Sequence, residues 1–124
     1  MDISTDIKTR TFGVEIEMCN LDRSKVSLPT GYSWSKDEDI VNTDGTCNKR
    51  FGGEINTPPL RLCLKDLHEL KSVYESMVNA GGVIKWSVYT HVHIYAGDLS
   101  VEQLKNIFLF FYVCYPVSYT HLRA

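Results

Sequence analysis

Nothing in this chain is long and apolar enough to cross a bilayer. The longest apolar run, residues 107–115, falls far short of the ~20 residues a spanning helix needs. A basic surplus is missing too: 13 Lys and Arg face 15 Asp and Glu, for a formal net charge of −2. That leaves no electrostatic footprint for nucleic acid and no polybasic patch for a membrane surface. Cysteine is sparse, and Cys19, Cys47, Cys63 and Cys114 include no C-x-x-C pair. Residues 1–6 lack the basic and apolar regions of a secretory leader. Free thiols in a reducing cytoplasm are therefore expected. Repeats and low-complexity tracts are absent as well. What is present is 124 residues, 44% hydrophobic, with 7 Tyr, 5 Phe and 2 Trp, enough for a globular domain with its own core.

Hydrophobic periodicity divides the chain into alternating elements. Residues 11–18 alternate apolar and charged side chains, the period of a strand. Residues 20–39 are irregular, a loop or short hairpin around Pro29, Gly31 and Trp34. Ile40, Val41 and Asn42 suggest a short strand closed by the turn dipeptide Asp44-Gly45. Residues 51–56 read as another strand, which Pro58 and Pro59 must end. Leu64, Leu67, Leu70, Val73, Tyr74, Met77 and Val78 recur at three and four residues, an amphipathic helix stopped by Gly81-Gly82. Residues 83–95 read as extended. Ser100 with Gln103 three residues on is a capping box that opens a second helix to about Val113. Its end, from Phe108 to Val113, has no polar face and calls for burial on all sides, but residues 114–124 are too few to cover it, so it is expected to stay uncovered in this chain. The order β, β, β, α, β, α predicts an α+β fold: a mostly antiparallel sheet with two packed helices.

Four of these segments carry groups able to do chemistry. Residues two apart on a strand share a face, so Glu15 and Glu17 project together while Val14 and Ile16 face the core. Adjacent carboxylates repel unless a cation lies between them, and Mg²⁺ or Mn²⁺ suits hard oxygen donors; an ordinary solvent-facing strand explains the same pattern. Gly52 and Gly53 precede Glu54, and two glycines let a backbone approach something closely. His91 and His93 share one face of a strand, as metal-ligating or phosphate-facing imidazoles do, or as half-buried histidines bonded to backbone do. Asp44 stands in Asn42-Thr43-Asp44-Gly45-Thr46, placed either to meet a metal or substrate amine or simply to make a turn. If the strands lie side by side, Glu15, Glu17, Glu54 and a histidine converge on an oxygen-rich site with one imidazole.

The segments Phe12-Gly13-Val14-Glu15-Ile16-Glu17, Asp44-Gly45-Thr46, Gly53-Glu54-Ile55-Asn56-Thr57-Pro58-Pro59-Leu60 and His91-Val92-His93, in this order over residues 11–112, resemble the amidoligase family, related to glutamine synthetase and glutamate–cysteine ligase. The resemblance implies part of a glutamine-synthetase-like sheet lining a funnel with two or more divalent ions. It also implies ATP-dependent amide formation through an acyl phosphate, with small-molecule or peptide carboxylate and amine substrates. By motif position Glu15, Glu17, Glu54 and His91 would hold Mg²⁺ or Mn²⁺. His91 and His93 would lie near the ATP phosphates, and Glu54 and Asp44 are the candidate catalytic carboxylates. The family's segment usually has a glycine before the first histidine, where Tyr89-Thr90 stands here.

By this resemblance residues 1–115 are expected to be the N-terminal part of an amidoligase-like catalytic domain. Residues 116–124 resemble a translated adapter sequence and are expected to be a non-native tail. The arginines and further acid that family members supply later in the chain have no counterpart here, so the isolated chain is expected to be inactive. Two other functions fit parts of the pattern. One is a metal-binding hydrolase or cupin-like enzyme using His91 and His93 with an acid, although the glutamate that cupins carry a few residues after H-x-H is lacking and Asp98 stands there instead. The other is a non-catalytic α+β domain.

Overall fold

The computed structural model describes residues 10–35, 40–46, 50–85 and 88–121, and the side chains only as far as Cys114. The chain forms two compact units that divide after Ile94. The first contains the sheet: β1 (Thr11–Asp22), β2 (Ser33–Trp34), β3 (Phe51–Asn56), β4 (Leu60–Arg61), the helix α1 (Leu64–Asn79) and β5 (Thr90–Ile94). The second contains the helix α2 (Val101–His121). This is the α+β architecture expected from the sequence, and every strand pairing is antiparallel.

Strand β1 is the axis of the sheet. It pairs with β3 and then with β4 along one edge, because the prolines at 58 and 59 interrupt the ladder only briefly. Phe12 is matched both to Leu60 of β4 and to Ile94 of β5, so β5 lies along the opposite edge. The short strand β2 extends the sheet beyond β3. Alternation along β1 sends Val14, Ile16 and Met18 into a core completed by Ile55, Leu60, Val73 and Met77. At Asn20 the backbone turns left-handed (φ 59°) and the register with β3 shifts between Met18 and Asp22. The parity changes there, so that both Cys19 and Leu21 are fully buried. Asn tolerates this conformation better than most residues.

Helix α1 packs on β1 and ends as its glycines predict. Gly81 adopts φ +94° and donates to Val78 O, while Gly82 donates to Met77 O, the paired bonds of a Schellman cap. Only Val73 and Met77 of its apolar stripe are buried; Leu64 is 76% exposed and Val78 45%. Val92 and Ile94 of β5 are likewise exposed.

Several expectations change. The strand at residues 40–42 is a loop, held by side-chain bonds from Asn42 rather than by a ladder. The extended segment at 83–95 contributes one isolated bridge, Val83 to Cys19, and then β5. Helix α2 opens with the expected capping box, Gln103 N to Ser100 Oγ at 3.2 Å and Ser100 N to Gln103 Oε1 at 2.8 Å. It continues past residue 113 to His121. Its apolar stretch is uncovered, as expected for this chain: Phe108 is 74% exposed and Tyr112 82%. The side chains of the tail at 116–124 lie outside the described residues. Cys19, Cys63 and Cys114 are free thiols. Among the described residues no helix is long and apolar enough to cross a membrane.

Candidate functional site

Register brings the chemistry-bearing residues onto one face of the sheet, opposite the core. Residues directly across an antiparallel pair share a face, so Ser33, Asn56, Glu15 and His91 form one row across β2, β3, β1 and β5. A second row sets Glu54 of β3 against Glu17 of β1. Glu17 continues it toward the entry of β5, where its backbone N–H donates to Tyr89 O at 3.2 Å and its Oε2 accepts Tyr89 N at 3.0 Å. His93 lies across from Gly13.

The side chains meet on that face. Glu15 Oε2 is 2.9 Å from His91 Nδ1, and Glu15 Oε1 is 3.0 Å from His93 Nε2. These two imidazole bonds, His91 first, hold the Glu15 carboxyl below its ordinary range. The same bond raises His91, with smaller help from Glu17 and Glu54. Glu54 goes the other way: burial pushes its carboxyl up, and repulsion from Glu15 and Glu17 adds to this. Hydrogen bonds from Ser35 and Asn56 oppose that rise without cancelling it. The face thus gathers three carboxylates, Glu15, Glu17 and Glu54, two of which raise the third.

Glu54 is held in place by its neighbours in sequence. Gly52 has φ +90°, and a Cβ there would fall 2.8 Å from Asn42 Oδ1. A Cβ on Gly53 would fall 2.5 Å from Arg23 Nε. Arg23 crosses this point to donate from Nε to Gly52 O at 2.8 Å, with its guanidinium 5.0 Å from the Trp34 ring centroid. The close approach that the two glycines allow is therefore to an arginine and an amide of the same chain.

Asp44 occupies a different position. Its Oδ1 accepts from Thr46 N (2.9 Å) and Thr46 Oγ1 (2.7 Å), a side-chain turn that holds its carboxyl low. The loop is anchored through Asn42, 2% exposed, whose Nδ2 donates to Phe51 O at 2.8 Å and whose Oδ1 accepts Asn20 N at 2.7 Å. Cys19 Sγ donates to Val41 O at 3.1 Å, and Lys85 Nζ to Asn42 O at 3.0 Å. Asn20, Asn42, Thr43, Asp44, Thr46 and Phe51 line a cavity of about 440 Å³ there. Glu15, Glu17, Glu54, His91 and His93 are gathered together; Asp44 is committed to its own turn.

Asn56 carries no role in the sequence reading, yet it stands between Glu15 across the ladder and Glu54 two residues before it. Its amide bonds to the Glu54 carboxylate, while its Oδ1 is shielded from water and has no hydrogen-bond partner. A buried acceptor left unmade costs ~1–3 kcal/mol. The alternation that pairs Glu15 with Glu17 pairs Glu54 with Asn56 equally well, so the signal was in the sequence.

The donor set fits a hard divalent cation: carboxylates, one amide oxygen without a partner, and imidazole at the margin. As the side chains stand, no three His, Cys, Asp or Glu among the described residues are spaced to enclose an ion. Glu15 spends both oxygens on imidazoles, and ion binding would require it to exchange one of those contacts.

Fold and face together define an α+β protein with a carboxylate–imidazole cluster on an open antiparallel sheet. The model of the family described as "Putative amidoligase enzyme" matches residues 30–123, and the chain belongs to that family. The match takes in Asp44, Glu54, Asn56, His91 and His93 and begins after β1, so Glu15 and Glu17 rest on the register and on the motif resemblance. Membership makes a ligase the coarse functional assignment. No curated protein and no solved structure matches the chain.

Proposed function

We propose that this chain carries the acidic face of an ATP-dependent, amide-forming ligase. The observation that bears the most weight is the register itself, Glu15 against His91 and Glu17 against Glu54, which sets four candidate ligands from three adjacent strands on one face. Glu15, Glu17, Glu54 and His91 would hold Mg²⁺ or Mn²⁺, with His93 beside the nucleotide phosphates. Divalent ions held there supply charge neutralisation for phosphoryl transfer, a reaction governed by positioning and electrostatics. A substrate carboxylate oxygen takes the γ-phosphoryl group and ADP leaves. An amine nitrogen then attacks the acyl carbon, forming the amide as phosphate leaves and the nitrogen gives up a proton. Asp44, kept ionised by Thr46, suits the positively charged form of an amine better than proton abstraction.

The test is thermal melting of the chain with and without Mg²⁺ and ATP. The expected result is a ligand-dependent rise in Tm for the unmutated chain and none when Glu15, Glu17 and Glu54 are all replaced by Gln. Equal responses in both would remove the assignment. The contact of Glu15 with both His91 and His93 also favours a second reading, a hydrolase with a two-histidine, one-carboxylate metal site. Stoichiometric zinc or iron in the purified protein, with no response to Mg²⁺, would select it.

A further inference from the structure

We infer that the outer edge of β5 is a peptide-binding site, where an extended segment of another polypeptide joins the sheet antiparallel and sets Asp or Glu side chains against His91 and His93. The pairing stands on the edge itself; that the presented carboxylate is the one activated rests on the ligase reading. Among the described residues β5 pairs with β1 alone. Glu17 N donates to Tyr89 O. Hydrogen-bonded pairs alternate along an antiparallel ladder, so the backbone groups of His91 and His93 turn toward Glu15 and Gly13. The N–H and C=O groups of Thr90, Val92 and Ile94 turn the other way, along the outer edge. Every residue of β5 is exposed. Nothing in Thr-His-Val-His-Ile blunts this edge, since it has no Lys, no Pro and no register shift. The strand at the other side of the sheet, β2, is only 2 residues long. A regular, unguarded edge is a template for strand addition.

The two faces of β5 say which sequence fits. Residues directly across a ladder share a face. Val92 lies across from Val14 and Ile94 across from Phe12, so added residues opposite Thr90, Val92 and Ile94 fall on the apolar face. Phe12, Leu62, Val92 and Ile94 line a cavity of about 290 Å³ there, which apolar side chains suit. Added residues opposite His91 and His93 fall on the other face. Their nearest neighbours are the two imidazoles, with Glu15 one strand further away. Acidic side chains complement that pair across the ladder. A second copy of β5 does not: paired antiparallel about Val92, it sets His91 against His93 of the other copy, imidazole on imidazole. The occupant is therefore a segment that alternates apolar and acidic residues.

The probe is an end-capped, fluorophore-labelled peptide, Val-Glu-Val-Glu-Val, titrated with the full chain in the absence of Mg²⁺ and ATP and followed by fluorescence anisotropy. Saturable binding is expected. Val92→Pro removes an outward N–H and none that reaches β1, and is expected to weaken binding about fivefold or more. Methylating the Val amide nitrogens of the peptide should abolish binding, and methylating the Glu amide nitrogens should not. Replacing both Glu by Gln should weaken it about threefold or more. No binding by the unmodified peptide overturns the inference. So does an equal loss with either pattern of methylation, because the peptide would then not be paired with the edge. A Val92→Pro variant that disperses an associated chain, with no peptide binding by either form, gives the edge to a second copy instead. If Val92→Pro fails to fold, the two methylation patterns decide alone. Failure of the ligase reading looks different: the peptide binds as described, and Mg²⁺ with ATP leaves the Tm unchanged.

Discussion

At the scale of single residues, the two kinds of carboxylate in this protein respond oppositely to their surroundings. Glu54 is half-buried among like charges, whereas Asp22 is buried among donors. Removing the charge from Glu54 relieves repulsion worth roughly 0.5 kcal/mol, so Glu54→Gln should raise the ion-free Tm by about 2–4 °C. The same variant should lose the Mg²⁺-dependent rise, and a Tm that falls without ion would contradict this account. For Asp22, Ser24 donates from Oγ (2.7 Å) and backbone N (3.1 Å), with Arg50 and Lys25 further out at 3.8 Å. The Ser24 bonds hold its carboxyl below the usual carboxylate range. A folded pKa below the unfolded one adds stability at pH values above about 3.9, the ordinary Asp value. That stability is lost as the pH falls through the depressed folded value. Asp22→Asn should therefore melt below the unmutated chain at neutral pH, and the difference should close on acidification. A gap that persists at pH 2 would mean that the charge is not what Asp22 contributes.

Elements explain why these residues hold their places. Strand β3 enters the sheet through Gly52 and Gly53, with Asn42 against one and Arg23 against the other. Gly53→Ala forces the guanidinium away from Gly52 O and Trp34, a local overpacking that should cost about 1–3 kcal/mol. In an Arg23→Ala background the space is open, and the same substitution should cost little, since residues in contact are not additive. Additive losses in the double-mutant cycle would refute the clamp. This device shows where sequence reasoning stopped. The alternation of β1 and the proline-bounded segment at 51–56 were legible because strand period and ladder chemistry are local. So were α1, with its Gly81 stop, and the capping box of α2. What was hidden was non-local. The partner of Gly53 is Arg23, thirty positions back in sequence, and no periodicity reports it. Asn42 looked like the end of an apolar strand because a buried amide that bonds to Phe51 O and Asn20 N leaves the same apolar neighbours in the sequence. Asn56 was overlooked although the alternation already applied to Glu15 and Glu17 places it beside Glu54.

For the molecule as a whole, the acidic face belongs entirely to the unit that ends at Ile94, while the longest exposed apolar surface belongs to the other unit. In α2, Phe108, Leu109, Phe110, Phe111, Tyr112 and Val113 are all more than 60% exposed. Contiguous apolar surface of this kind drives association when nothing covers it. Periodicity announced an all-apolar helix end and implied a cover for it; the sequence contains no information about what that cover is. The two properties should therefore separate experimentally. Phe108 and Phe111 are one turn apart and share a side of the helix, so replacing both with Lys breaks the patch without touching the sheet. The unmutated chain is expected to sediment as an associated species and the Phe108→Lys, Phe111→Lys variant as a monomer. The Mn²⁺ affinity should be the same in both, because every candidate ligand lies on β1, β3 and β5. If association persists in the double variant, its cause lies elsewhere, and the exposed face of β5 around Val92 and Ile94 becomes the next surface to charge. If the ion affinity falls along with association, the site depends on neighbouring copies, and the separation of acidic face from apolar helix fails.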